Sequence, residues 1–101
     1  MVTPELIEKL KLDQRITFDI DANLQEKLMR SMRRINTLMG VEIDYEADAQ
    51  ARELLFNRFR YDYNNNLEAW PHNFATEILS LQLHYAAKEV RADDPGQAGT
   101  D

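Results

Sequence analysis

His72 and His84 are the only imidazoles in this 101-residue chain, and it contains no cysteine. Glu77, Ser80 and His84 follow one another at intervals of three and four, so on a helix they share one polar strip. A carboxylate, a hydroxyl and an imidazole so placed imitate a metal set or an activated nucleophile. The imitation is thin. Zinc sites need three or four ligands, and a nucleophile needs a base that a third group orients. Two histidines with no cysteine and no acid pair at ligand spacing supply neither, and the strip reads as a solvated or interface surface. No catalytic residue, metal ligand or cofactor is assigned.

A second set with chemical potential is basic. Between residues 24 and 39, Lys27, Arg30, Arg33 and Arg34 stand against Glu26 alone. Such a face could line a channel and touch DNA phosphates, or grip an acidic partner. It is also what an ordinary solvated helix face looks like. The formal net charge of −6 opposes a general nucleic-acid binder, whose affinity comes from Lys and Arg neutralising phosphates.

The elements that must carry these residues are helical. With 44% hydrophobic and 30% charged residues the composition is that of a folded chain, and three prolines and three glycines leave few breakers. The length suits one domain with a modest core. A chain of this size buries somewhat over ~60% of its unfolded surface, so contacts with other copies could matter to it. The absence of cysteine fits a reducing cytosol. Neither the opening residues nor any ~18-residue apolar window suggests secretion or membrane spanning.

Thr3 and Pro4 open a short first helix to about Leu12. From Asp13 to Ile20, Ile16, Phe18 and Ile20 alternate with Thr17 and Asp19, a period of two. The expectation is an extended, ordered segment that could serve as an edge pairing between subunits. Asp21 caps a second helix, Ala22 to Met39, stopped by Gly40. Its apolar stripe is Leu24, Leu28, Ser31, Ile35 and Leu38, opposite the basic face. After an acidic turn (Glu42, Asp44, Glu46, Asp48) a third helix is expected from Ala47 to Asn64, with Arg58 and Asp62 four residues apart and able to pair. Asn64-Asn65-Asn66 reads as a turn, and Pro71 starts a fourth helix to Val90. Residues 91–101 lack an apolar anchor, and a flexible acidic tail is expected there. The fold class is therefore all-α: a small bundle of about four helices over 1–90, with a tail at 91–101.

The last helix has two apolar stripes. Phe74, Ile78, Leu81 and Tyr85 form one; Leu79, Leu83, Ala86 and Val90 form another, displaced by roughly 100–140° at ~100° per residue. Two stripes mean either a central helix covered on both sides or one face in the core and one against another chain. Because the third helix is also broadly apolar, a subunit interface is the favoured reading. Trp70 beside Pro71 is a packing anchor between the flanking helices or a contact hot spot.

The stretch from Arg60 to Leu83 resembles the head–tail connector (adaptor) proteins of tailed bacteriophages and prophages. Their pattern is an Arg-Tyr pair, an Asn-rich turn, Leu-Glu, an aromatic residue, then Asn-Phe-x-x-Glu-Ile-Leu-x-Leu-Gln-Leu. Here it is met by Arg60, Tyr61, Asn64, Asn65, Leu67, Glu68, Trp70, Asn73, Phe74, Glu77, Ile78, Leu79, Leu81, Gln82 and Leu83. Thr3-Pro4-Glu5-Leu6 and Leu10-Lys11-Leu12-Asp13 are similar too, while the alternating Ile16–Ile20 segment departs from the family's acid-rich loop.

The resemblance implies a ring of subunits docked beneath the portal protein, extending the DNA channel and receiving a tail-side or stopper protein. DNA would be channel contents only, no membrane would be involved, and the location would be the virion, preceded by the host cytoplasm. It also marks Arg60, Asn64, Asn65 and Asn73 as pattern residues of the turn. The rival reading is a small helical regulatory protein that binds a protein partner or DNA. A recognition helix should concentrate Arg, Asn and Gln on one exposed face; the second helix has the arginines but follows an extended segment, not a helix and turn.

Overall fold

The computed structural model describes residues 2–92, with side chains described through Lys88. Among these residues there are five helices and no strand: α1 (Pro4–Gln14), α2 (Ala22–Met39), α3 (Ala49–Tyr63), a 3-10 turn (Leu67–Ala69), α4 (Trp70–Asn73) and α5 (Ala75–Ala92). The acidic tail expected at 91–101 lies, from residue 93 on, outside the described residues; Arg91 and Ala92 are helical.

The first three helices each start where a side chain relieves an orphan amide. Thr3 Oγ1 accepts from the Leu6 amide at 3.1 Å, Asp21 Oδ1 from Leu24 at 2.9 Å, and Asp48 Oδ1 from Ala51 at 3.0 Å. Gly40 ends α2 in the left-handed region (φ 75°), its amide donating to Asn36 O at 2.8 Å.

α2 and α3 form the principal antiparallel pair; α1 packs on α3, and α5 lies across both α2 and α3. The core draws Leu6 and Leu10 from α1, Leu28 and Ile35 from α2, Leu55 and Phe59 from α3, and Leu81 from α5. Ser31 sits in this core on the apolar stripe of α2, fully buried.

The structure departs from the expectations in four places. The segment after α1 is not a strand. α1 runs to Gln14, Arg15 turns left-handed (φ 57°), and Ile16 donates to Lys11 O at 2.8 Å. A bend at Phe18 then breaks the alternation, so Ile20 is buried while Phe18 stays 48% exposed. Within the subunit the described residues of this segment form no strand.

α3 begins at Ala49 and not at Ala47, because Asp44 organises a turn first. Its carboxylate accepts from the Glu46 amide at 3.1 Å, and its carbonyl accepts from Asp48 at 3.0 Å. Ala47, expected to open the helix, lies in that turn and is exposed.

Arg58 and Asp62 do not pair with each other. Both reach across to α2: Arg58 Nη1 donates to Ser31 Oγ at 2.8 Å, and Asp62 meets Lys27 Nζ at 3.4 Å and Arg30 Nη2 at 3.6 Å. A buried hydroxyl and two neighbouring cations on α2 offer each side chain a partner without bending it back along its own helix.

The fourth expected helix is two. α4 and α5 are separated at Phe74 (φ −117°, ψ 23°), whose ring packs edge-on against Tyr61 and stacks with Trp70. Holding that ring between two aromatics bends the chain while its hydrogen bonds survive: Phe74 N donates to Trp70 O at 3.0 Å and Ile78 N to Phe74 O at 2.8 Å.

Candidate interaction surface

α5 settles the placement of its two stripes. Leu81 and Tyr85 are 1% and 8% exposed, and Phe74 and Ile78 pack half-buried against the same core. Leu79 and Leu83 are 55% and 63% exposed, and Ala86 is exposed. α3 therefore does not cover the second stripe. Val90 belongs to the stripe by position, but its side chain lies outside the described ones.

At ~100° per residue the outer stripe is centred roughly 140° from the core face. Between Ala75 and Ala87 its neighbours Thr76, Ser80 and Gln82 are all uncharged. Glu77, His84 and Lys88 project elsewhere on the helix. An exposed helix face that carries leucines and no charge is unusual for a surface exposed only to water. It can bury apolar area against another helix, and it offers no group that reacts.

The basic face of α2 is partly spent inside the subunit. Lys27 and Arg30 serve Asp62, which is 8% exposed, and Arg33 pairs with Glu26 at 3.4 Å on the surface. Arg34 is exposed and has no ion pair among the described residues. It lies beside Arg58, and together with Leu38, Trp70, Pro71 and Ala75 they line a cleft of about 280 Å³. Burial lowers the pKa of Arg58, Asp62 opposes that shift, and the nearby Arg34 and Arg30 reinforce it. Arg58 spans the Trp70 ring at 5.3 Å, a cation held over an aromatic face.

Trp70 is 2% exposed and anchors the α3–α4 junction, so the packing-anchor reading holds and an exposed hot spot is corrected; its ring meets the surface only as a wall of the cleft beside Arg34 and Arg58. The asparagine turn closes α3 through its backbone. Asn65 is left-handed (φ 57°), Asn66 N donates to Tyr61 O at 2.8 Å and Asn65 N to Asp62 O at 3.1 Å. Asn73 Nδ2 donates to Tyr61 Oη at 3.0 Å, tying α4 to α3. Arg60 bonds Asn57 on its own helix at 3.1 Å and, with Asn64, borders a groove of about 290 Å³ beside Phe18 and Tyr63. The four pattern residues thus shape one elbow and do not converge on a reactive centre.

Two arrangements escaped the sequence reading. Tyr45 Oη donates to Asn36 Oδ1 at 2.8 Å, folding the acidic loop onto α2. The Tyr85 hydroxyl donates to Asp48, linking α5 to the start of α3. Burial opposes ionisation of Asp48, yet the bonds from Tyr85 and from the Ala51 amide outweigh it and hold the carboxyl below its ordinary value. Burial first, then the neighbouring Asp48, raises the Tyr85 phenol. Alternating Ile43 and Tyr45 with acids was the one trace of the loop's inward side.

His72 and the strip of Glu77, Ser80 and His84 are exposed; His84 lies edge-on to Tyr85 with ring centroids 5.0 Å apart. Among the described residues no three His, Asp or Glu side chains gather as a metal set, and no helix is long and apolar enough to cross a membrane. Comparison of the chain with protein-family models, with curated proteins and with solved structures finds no match.

Proposed function

We propose that this chain is a structural subunit that works by assembly, a head–tail connector of a tailed phage or prophage that forms a ring beneath the portal and extends the DNA channel towards the tail. The observation that carries the reading is the exposed, uncharged face of α5. Leu79 and Leu83 stand on the same turns of helix as the Asn-Phe-x-x-Glu-Ile-Leu-x-Leu-Gln-Leu pattern, while the alternate positions Ile78 and Leu81 turn to the core. Half the pattern is thus occupied by folding the subunit, and the other half is left to meet another chain.

In this reading the subunit transfers no group. Its work is differential binding, with a ring more stable on the portal than free in solution. The α5 stripe supplies apolar contact with a neighbouring copy, and the tail-side face receives the next protein of the assembly.

A measurement of particle mass with and without the cognate portal tests the reading. A ring that appears with the portal bears it out. A chain that ignores the portal, stays a monomer or dimer, and retards a DNA fragment in a gel is instead the small helical regulator. The exposed Arg34 is the feature that such a regulator would use, but Lys27, Arg30 and Arg33 already face carboxylates.

A further inference from the structure

The charges on this subunit are sorted to two sides of one helix. After Gly40 the acidic loop leaves the C-terminal end of α2 and folds back on its Asn36 side: Asn36 Oδ1 accepts from the Ile43 amide at 3.3 Å and from Tyr45 Oη at 2.8 Å. Tyr45 Oη also reaches Met32 O at 3.3 Å, one turn earlier on that side. Asn36 and Arg34 are two residues apart, so they point roughly 160° away from each other at ~100° per residue. Lys27 and Arg30 share the Arg34 flank, and Arg58 joins them from α3.

The acidic side displays Glu42, Asp44, Glu46 and Asp48, with Arg52 and Lys88 as neighbouring cations. The basic side displays Lys27, Arg30, Arg34 and Arg58, with Asp62 as its one inward-facing acid. Glu42 and Arg34 are both exposed, and neither has an ion pair among the described residues.

The basic side is also concave. The cleft of about 280 Å³ has Arg34 and the half-buried Arg58 at its polar edge and Leu38, Trp70 and Pro71 as walls. It accommodates a carboxylate side chain with its stem against apolar wall. Ala75 lines the cleft and stands one helical turn before Leu79, so the cleft adjoins the start of the α5 stripe. We infer that the Arg34–Arg58 cleft receives the Glu42–Glu46 loop of a second copy of this chain, so that copies join head to tail through unlike surfaces.

Unlike surfaces on one chain generate a ring or a filament, whereas a patch that pairs with itself closes at a dimer. The charges set direction and register, and the adjoining leucines contribute buried apolar area. The inference deepens the connector reading and rests on it for the expectation that copies meet at all. It adds which faces meet, and how the charge on one side of α2 selects the other.

Sedimentation of the full chain, alone and with its portal, tests the contact using Arg34→Glu, Glu42→Lys, the double variant and an equal mixture of the two single variants. Circular dichroism on each confirms that the fold is kept. The wild-type chain should self-associate beyond a dimer at low salt and weaken as salt rises, since the Debye length shrinks from about 30 Å at 0.01 M to about 10 Å at 0.1 M. Each single reversal should weaken association about tenfold or more, while the double variant and the mixture should regain it.

Association that stops at a dimer overturns the head-to-tail contact, and so does a chain monomeric at low salt both alone and with the portal. A ring on the portal that forms equally with wild type and both single reversals overturns the contact while leaving the connector reading standing. Loss in the single variants without recovery in the mixture also overturns it.

Discussion

Arg58 is the residue whose role depends most on where its neighbours lie. Its Nη1 satisfies Ser31, which is fully buried in an otherwise apolar stripe, and its guanidinium covers Trp70. Replacing it with alanine leaves the Ser31 hydroxyl without that partner and opens the indole. Arg58→Ala should therefore cost about 1–3 kcal/mol, read as a lower urea midpoint with an unchanged slope. Asp48 acts at the same scale through a titrating cap. Its folded pKa is depressed below the ordinary 3.8, so its contribution is present above that value and is lost as pH falls through the lower folded one. Asp48→Asn keeps a cap oxygen but removes the charge at the helix start, so it should destabilise by about 0.3–1 kcal/mol near neutral pH, and the gap from wild type should shrink as pH falls below 3.8 through the lower folded value. Urea unfolding of both chains across that range measures it. Neither role is written in the local sequence. An arginine four residues before an aspartate reads as a helical pair, and only the approach of Ser31 and Lys27 diverts both side chains.

At the scale of elements, the caps and stops were legible. Thr3, Asp21 and Gly40 end their helices where residue type alone places them, because capping is a local exchange between a side chain or glycine and adjacent amides. The non-helical linker at 16–20 was legible but its straight alternation was not, because two isoleucines can be buried from a bent chain as well as from an extended one. The single helix from Pro71 failed because Phe74 is claimed by Tyr61 and Trp70, partners brought by the asparagine elbow. The two stripes of α5 were visible as a pattern, but their assignment was not. Leu81→Ala should cost about 2–5 kcal/mol, as for a fully buried leucine, whereas Leu83→Ala, at a position 63% exposed, should stay within about 0.5 kcal/mol. Thermal or urea unfolding of the pair checks this, and equal losses would place both stripes in the core.

Among the described residues, the core lies on one side of α5 and an exposed apolar face on the other. If that face is the contact between copies, a charge placed in it should act on assembly and leave the fold intact. Leu83→Asp should abolish ring formation with the portal while the helical signal stays that of the wild type, as measured by mass and circular dichroism together. Unfolding of the variant would instead assign the stripe to the subunit itself. The sorting of charge around α2 belongs to this scale as well, since it arises only when the loop after Gly40 folds back on Asn36.

The sequence by itself determined the helical class, the helix ends set by caps and glycine, and the presence of two apolar stripes on the last helix. These are local or periodic properties, read at spacings of one to a few residues. Tertiary structure alone decided which stripe faces inward, that Trp70 is core, that Arg58 and Asp62 reach to α2, and that acids and arginines fall on opposite sides of that helix. Each of those outcomes depends on what another segment brings within a few ångströms. In α5 the same pattern reads both ways until α2 and α3 take up the Leu81 face and leave Leu79 and Leu83 outside.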